Sequence, residues 1–267
     1  MLARGAANGD LVRAAAANQT EWMLRTAEAA GGVVHRERGV AWAASPAGAF
    51  LAFPELSRER LGGVLPQFLS AAGRSDAREA SCWSLLPTEP ETLGAELLAA
   101  GFRDGWQAHW MAAEIEPRPP DAPPAGVQIG LAPPTWKATE LPWDGEGVAR
   151  VRSRLADAHP RRVWHLGAWR NGRPVGHAVL NVSTGRLGVA GVYDMGVAPE
   201  ERRRGIGRAL TLAALELARA QGCAFATLNA THEGELYSAV GFRSVGVAQT
   251  WWLDLPVAEG AALASGG

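Results

Sequence analysis

The residues with the clearest chemistry form a basic, glycine-containing run, Arg202-Arg203-Arg204-Gly205-Ile206-Gly207-Arg208. Two glycines let a backbone approach a ligand with no Cβ in the way. The first N–H groups of a helix starting here, at the positive end of its dipole, favour an anion. Phosphate suits that chemistry. Other phosphate sites are built differently. A dinucleotide fingerprint needs a third glycine and an acidic residue about 20 positions on, and a Walker loop needs Gly-Lys-Ser/Thr; this chain has neither. A basic run also fits a solvated surface or a nucleic-acid patch.

Elements on either side must hold this run in place. Tyr193 to Val197 reads as a short strand with a turn at Ala198-Pro199-Glu200. After the run, Ile206, Leu210, Ala213, Ala214 and Leu217 recur at helical spacing, and Gln221-Gly222 ends the helix. Cys223 to Ala230 then reads as a strand, and Glu233 to Val240 as a short helix carrying Leu236-Tyr237 ahead of Gly241-Phe242. Strand, loop, helix, strand, Leu-Tyr helix and Gly-Phe, in this order, resemble the acyl-CoA-binding region of the GCN5-related N-acetyltransferase (GNAT) superfamily.

That resemblance implies an acyl-CoA-dependent N-acetyltransferase with acetyl-CoA as co-substrate, no metal, and a small-molecule or peptide amine as acceptor. It assigns the pantetheine contacts to the backbone of Met195, Gly196 and Val197, and the pyrophosphate to the amides of the loop, Arg202 through Arg208 with Gly205, Ile206 and Gly207. Asn229 would lie near the pantetheine. Tyr237 matches the family's general acid, which gives the departing thiolate its proton, and a strand N–H near Met195 would polarise the thioester carbonyl. The attacking amine must lose a proton. Relatives often carry Glu or His at the positions of Gly191 and Tyr193, and this chain does not. Asp194 is adjacent, but a regular strand points it to the opposite face unless a bulge re-aims it. A water chain ending at Tyr193, Asn229 or His177 is the alternative. Trp136, Trp143, Asp144 and Glu146 fall where relatives wall the acceptor pocket. A non-catalytic acyl-CoA-binding module, and a structural role in self-association, are the competing readings.

With 267 residues, 47% hydrophobic and 20% charged, the chain can bury a core in one large domain or two ordinary ones. A formal net charge of −1 argues against a dedicated nucleic-acid binder. Lys137 is the only lysine among 26 basic residues, which reads as the codon bias of a GC-rich genome. Cys82 and Cys223 are far apart and fit a reduced, cytoplasmic protein, with Cys223 a buried structural thiol. No apolar run is long enough for a membrane span. His165, His177 and His232 have no ligand-spaced partners, so no metal is expected.

The first half repeats the order of the second. A helix from Asp10 to Ala30 precedes strands at Val33 to Ala44 and Ala49 to Phe53. A helix from Ser57 follows, then a strand at Ala80 to Leu86, a helix at Glu91 to Ala100, Gly101-Phe102, and a strand at Trp106 to Ile115. We read an internal duplication. Its first copy is degenerate: Ser57-Arg-Glu-Arg-Leu-Gly62-Gly63 lacks the loop spacing and Leu98 stands opposite Tyr237, so no acyl-CoA is expected there. Pro117 to Pro124 carries five prolines and reads as a linker. The expected class is α/β (α+β), with two GNAT-like domains, each a mostly antiparallel twisted sheet flanked by helices. Their expected bounds are 1–116, a linker at 117–126, a catalytic domain at 127–257 and a loose tail at 258–267, in a monomer or homodimer.

Overall fold

The computed structural model of the chain describes residues 1–88, 90–117, 121–133, 146–230 and 234–256, with the side chains of 146–150 excepted. In chain order the elements are α1 (Asn8–Ala29), β1 (Val33–Glu37), β2 (Val40–Ser45), β3 (Gly48–Ala52), α2 (Arg58–Gly73), β4 (Glu79–Leu85), α3 (Leu93–Ala99) and β5 (Arg103–Glu114). They continue with β6 (Val127–Leu131), α4 (Glu146–Asp157), β7 (Val163–Arg170), β8 (Arg173–Val182), β9 (Ala190–Val197), α5 (Ile206–Ala220), β10 (Phe225–Ala230), α6 (Glu235–Ser238) and β11 (Arg243–Asp254).

The chain forms two compact units, each from two segments: Met1–Trp22 with Ala108–Val247, and Met23–Gln107 with Ala248–Gly267. In the first unit the strands run β6-β7-β8-β9-β10-β5. Among the described residues β9 and β10 pair in parallel and the other pairs of this sheet are antiparallel. The hairpin joining β7 to β8 turns at Asn171-Gly172. Both residues have positive φ, 51° and 76°, as the turn that matches strand twist demands. In the second unit β1-β2-β3-β4 continue to residues 248–254 of β11. Here β3 and β4 are parallel and the other pairs antiparallel. Each sheet therefore takes a strand from the far end of the sequence: β10 registers with β5, from Phe225↔Glu114 to Ala230↔His109, and β4 with β11.

Helix α5 packs its apolar face on the first sheet. Ile206, Leu210, Ala214, Leu215 and Ala218 are buried in a core shared with Leu180, Val192, Leu228 and Phe242. Cutting Leu210, 0% exposed, back to Ala would cost about 2–5 kcal/mol. The second unit has its own core around Phe68, Leu51, Leu61, Leu97 and Trp251. As expected, α2 starts after Ser57 with that side chain as its N-cap, and Gly62-Gly63 lie inside it. One local expectation is corrected. Helix α6 is a single turn, shorter than Glu233 to Val240.

Candidate active site

After β9 a 3-10 turn at Pro199–Glu201 leads into the basic run. Arg203 has φ 61° and Gly205, the N-cap of α5, has φ 81°. With Arg202 extended and Arg203 and Gly205 left-handed, the loop bends into α5 as a concavity where the N–H groups at the helix start suit an anion. No side chain caps α5 at Gly205. A Cβ at Gly205 would lie 3.4 Å from Pro124, and one at Gly207 would lie 3.2 Å from Leu236 Cδ2. Arg202 Nε donates to the Val197 carbonyl at 3.1 Å, Arg204 and Arg170 both pair with Glu201 at 3.2 Å, and Arg208 pairs with Asp121.

Beside this concavity β9 and β10 part. Their ladder holds only Ala226↔Ala190 and Thr227↔Gly191, so among the described residues Val192–Val197 have no β10 partner. Met195 lies along this opening. Its sulfur accepts from Thr211 Oγ1 of α5 at 3.6 Å and from the Tyr237 hydroxyl of α6 at 3.9 Å. Tyr237 is half-buried with its ring 6.0 Å from Phe242. Burial pushes its pKa up, so the hydroxyl keeps its proton near neutral pH.

On the other face of β9 lies the N-terminal part of α1. The Tyr193 hydroxyl donates to Asn18 Oδ1 at 2.7 Å, and its ring stacks on Trp22, with centroids 5.1 Å apart. Asn18 Nδ2 donates to the carbonyls of Asn181 and Val189 and to Ser183 Oγ. Gly191 is what admits this helix: a Cβ there would lie 2.1 Å from Asn18 Oδ1. Asn229 Nδ2 donates to Gln19 of the same helix at 3.2 Å.

A bulge interrupts β9. Val179 pairs with Tyr193 and His177 with Gly196, so Asp194 and Met195 together oppose the single residue Ala178. Asp194 has φ 46°. The extra residue puts Asp194 on the same face as Tyr193, where regular alternation would have sent it away, and turns Met195 toward α5. Arg152 of α4 donates to Asp194 Oδ2 at 2.9 Å and lies 3.3 Å from His177 Nδ1. His165 Nε2 is 3.2 Å from the same Nδ1. Burial, with the Arg152 charge beside them, pushes His165 down to about 3 and His177 to about 2, so both rings are neutral.

The sequence profile of the acetyltransferase (GNAT) family matches residues 133–242, which contain β9, the basic loop, α5 and Tyr237. This stretch is similar to GNAT-family domains. Solved structures extend the likeness to almost the whole chain. A GCN5-related N-acetyltransferase from Kribbella flavida superposes with TM-score 0.63 at 18% identity, over 94% of this chain and 96% of that one. A tandem GNAT protein from the clavulanic acid biosynthesis pathway gives 0.56 at 17%, over 93% and 97%. A GCN5-related N-acetyltransferase from Sphaerobacter thermophilus gives 0.56 at 15%, over 91% and 93%. At these identities the likeness is one of fold, the tandem GNAT fold. No curated protein sequence matches the chain.

The first half of the tandem lacks the features just described. In the second unit β3 and β4 stay paired from Ala49↔Ala80 to Ala52↔Trp83, and Phe53 N–H still donates to the Trp83 carbonyl at 2.7 Å, so among the described residues these strands do not part as β9 and β10 do. Helix α2, the counterpart of α5, has its first turn capped by Ser57 Oγ, at 3.4 Å from Arg60 N.

Sequence reasoning missed the Arg152–His177–His165 cluster, although a signal for it existed. His165 and His177 stand at equal distances from Asn171, so a hairpin turning there brings them close. Trp136, Trp143, Asp144, the Glu146 side chain, His232 and the tail fall outside the described residues. Among the described residues no group of three or more His, Cys, Asp or Glu is placed to hold a metal, and no helix is long and apolar enough to cross a membrane.

Proposed function

We propose that the chain is an N-acetyltransferase whose GNAT domain moves an acetyl group from acetyl-CoA to an amine. The observation that carries this reading is the convergence on one opening of the left-handed loop at Arg203–Gly207, the parted edge of β9, and the Tyr237 hydroxyl over Met195. The residues present fit such a donor. Uncapped N–H groups at the start of α5 and the arginines of the loop suit a diphosphate. The edge of β9 from Val192 to Val197, which β10 does not pair among the described residues, suits an extended arm carrying amide groups, bound as an added strand.

Acetyl-CoA supplies the activated thioester. The protein supplies position and proton traffic. The backbone at Met195–Val197 orients the thioester, a Met195 N–H stabilises the oxygen on which charge develops, and Tyr237 holds a proton for the departing sulfur. Tyr193 and Asn229, both engaged by α1, serve best as supports for β9 and β10, not as groups that touch the reacting atoms. The second unit, with its paired strands and capped α2, is a non-binding copy.

The packing of α1 against Gly191 favours a second reading. The strand position where relatives often carry a base is filled here by Asn18, which fits an acyl-CoA-binding module without turnover. Thiol release from acetyl-CoA across a panel of amines separates the two. Amine-dependent release that falls in Tyr237→Phe supports the transferase, and tight coenzyme A binding with no release for any amine supports the module.

A further inference from the structure

Helix α4 carries Arg152 under the β9 bulge, where it is only 5% exposed. A guanidinium so placed must be paired, since an isolated buried charge is costly. Asp194 Oδ2 supplies the opposite charge at 2.9 Å. Arginine has donors only, so at 3.3 Å His177 Nδ1 accepts from it, and His165 Nε2, at 3.2 Å, donates to the same nitrogen. Both rings are therefore neutral, and the Arg152 charge bears on the Asp194 carboxylate.

We propose that Arg152 is a positioning residue, whose grip on the Asp194 carboxylate holds the β9 bulge in its left-handed form and so aims the Met195 N–H into the acyl site. The inference rests on the acetyltransferase reading and goes beyond it by giving α4 and Asp194 a role in the step. The backbone supplies the reason a grip is needed. At φ 46° Asp194 is left-handed, a conformation that costs most non-glycine residues about 1–2 kcal/mol and that an Asp adopts where hydrogen bonds hold its side chain. If the bulge slipped out, alternation would turn Met195 away from Thr211 and Tyr237 and rotate its N–H off the opening between β9 and β10. Asp194 thus acts by accepting a hydrogen bond, and proton acceptance is not its task.

Asparagine tests this directly. It adopts left-handed φ readily and its Oδ1 still accepts from a guanidinium, but it cannot serve as a base. The experiment compares Asp194→Asn, Asp194→Ala, Arg152→Met and Arg152→Lys in the full chain. It reads kcat, KM for acetyl-CoA, and the amide nitrogen and proton shifts of Met195. Asp194→Asn is expected to keep kcat within about threefold, whereas Asp194→Ala and Arg152→Met lose at least about tenfold in kcat with KM for acetyl-CoA within about twofold, as befits a misaimed donor. Arg152→Lys should recover part of the loss. The Met195 amide should move in Asp194→Ala and Arg152→Met and stay in place in Asp194→Asn. The proposal is overturned if Asp194→Asn is as impaired as Asp194→Ala while its Met195 amide stays in place, which makes the carboxylate a proton acceptor. It is equally overturned if Arg152→Met leaves kcat and the Met195 shift unchanged. Should Arg152→Met fail to fold, the two Asp194 variants, on a side chain 40% exposed, decide alone. A wild-type protein that acetylates no amine would refute the transferase reading, and the Met195 shifts would still report whether the grip exists.

Discussion

The Tyr193 hydroxyl donates to Oδ1 of Asn18, a residue 175 positions earlier in the chain, at 2.7 Å. With Gly191 beside it, this contact explains why β9 carries no Glu or His at the two positions where relatives often do: a helix occupies that space. Replacing Gly191 by Glu, to install the missing carboxylate, should therefore destabilise the protein. The added Cβ would lie 2.1 Å from Asn18 Oδ1 and 2.5 Å from the Tyr193 ring. Thermal unfolding should report a loss of about 1–3 kcal/mol or more, and no gain in acetyl transfer.

Asn18→Ala should cost about 1–3 kcal/mol by chemical denaturation, because it strips partners from the buried Tyr193 hydroxyl and the Asn181 side chain. A loss under about 0.5 kcal/mol would mean that these groups find other partners.

Tyr237→Phe keeps the ring against Phe242 and removes only the hydroxyl. Turnover should fall by about 10²-fold, the low end for a general acid, since a thiol leaves readily without help. Coenzyme A affinity by calorimetry should stay within about threefold. An unchanged kcat would remove Tyr237 from the chemistry.

His165 and His177 give the fold an acid sensitivity whose sign can be worked out. Their folded values, about 3 and about 2, lie below the ordinary value, so between those limits the unfolded chain binds more protons than the folded one. Stability is therefore full above about pH 6.5 and falls as the pH drops below it, by up to about 1.4 kcal/mol per histidine per pH unit. Denaturation midpoints measured from pH 7.5 to 4.5 should follow this slope, and His165→Gln should flatten it.

Much of the fold could be read from the sequence because its signals are local. Ile206, Leu210 and Ala214 mark α5 by spacing, Asn171-Gly172 fixes a hairpin, and Ser57 caps α2. What lay outside such reading depends on contacts between residues far apart in sequence. Nothing in Phe225 to Ala230 says that its antiparallel neighbour comes from His109 to Glu114, or that Ala248 to Asp254 pairs with β4. The basic loop was visible in its glycines. The bulge at Asp194 was not, since no glycine marks it and only the pairing across to Ala178 reveals the extra residue. For the same reason, Arg152 on a separate helix gave no sign of its contact with Asp194.

The most direct test of the whole account is calorimetric titration of coenzyme A into the full chain and into Gly205→Ala, whose Cβ would sit in a left-handed turn at φ 81°. The account predicts one equivalent bound by the wild type, because among the described residues one of the two units has an open strand pair and an uncapped helix, and an affinity weaker by about tenfold or more in the variant. No uptake of coenzyme A, two equivalents per chain, or undiminished affinity in Gly205→Ala would contradict it.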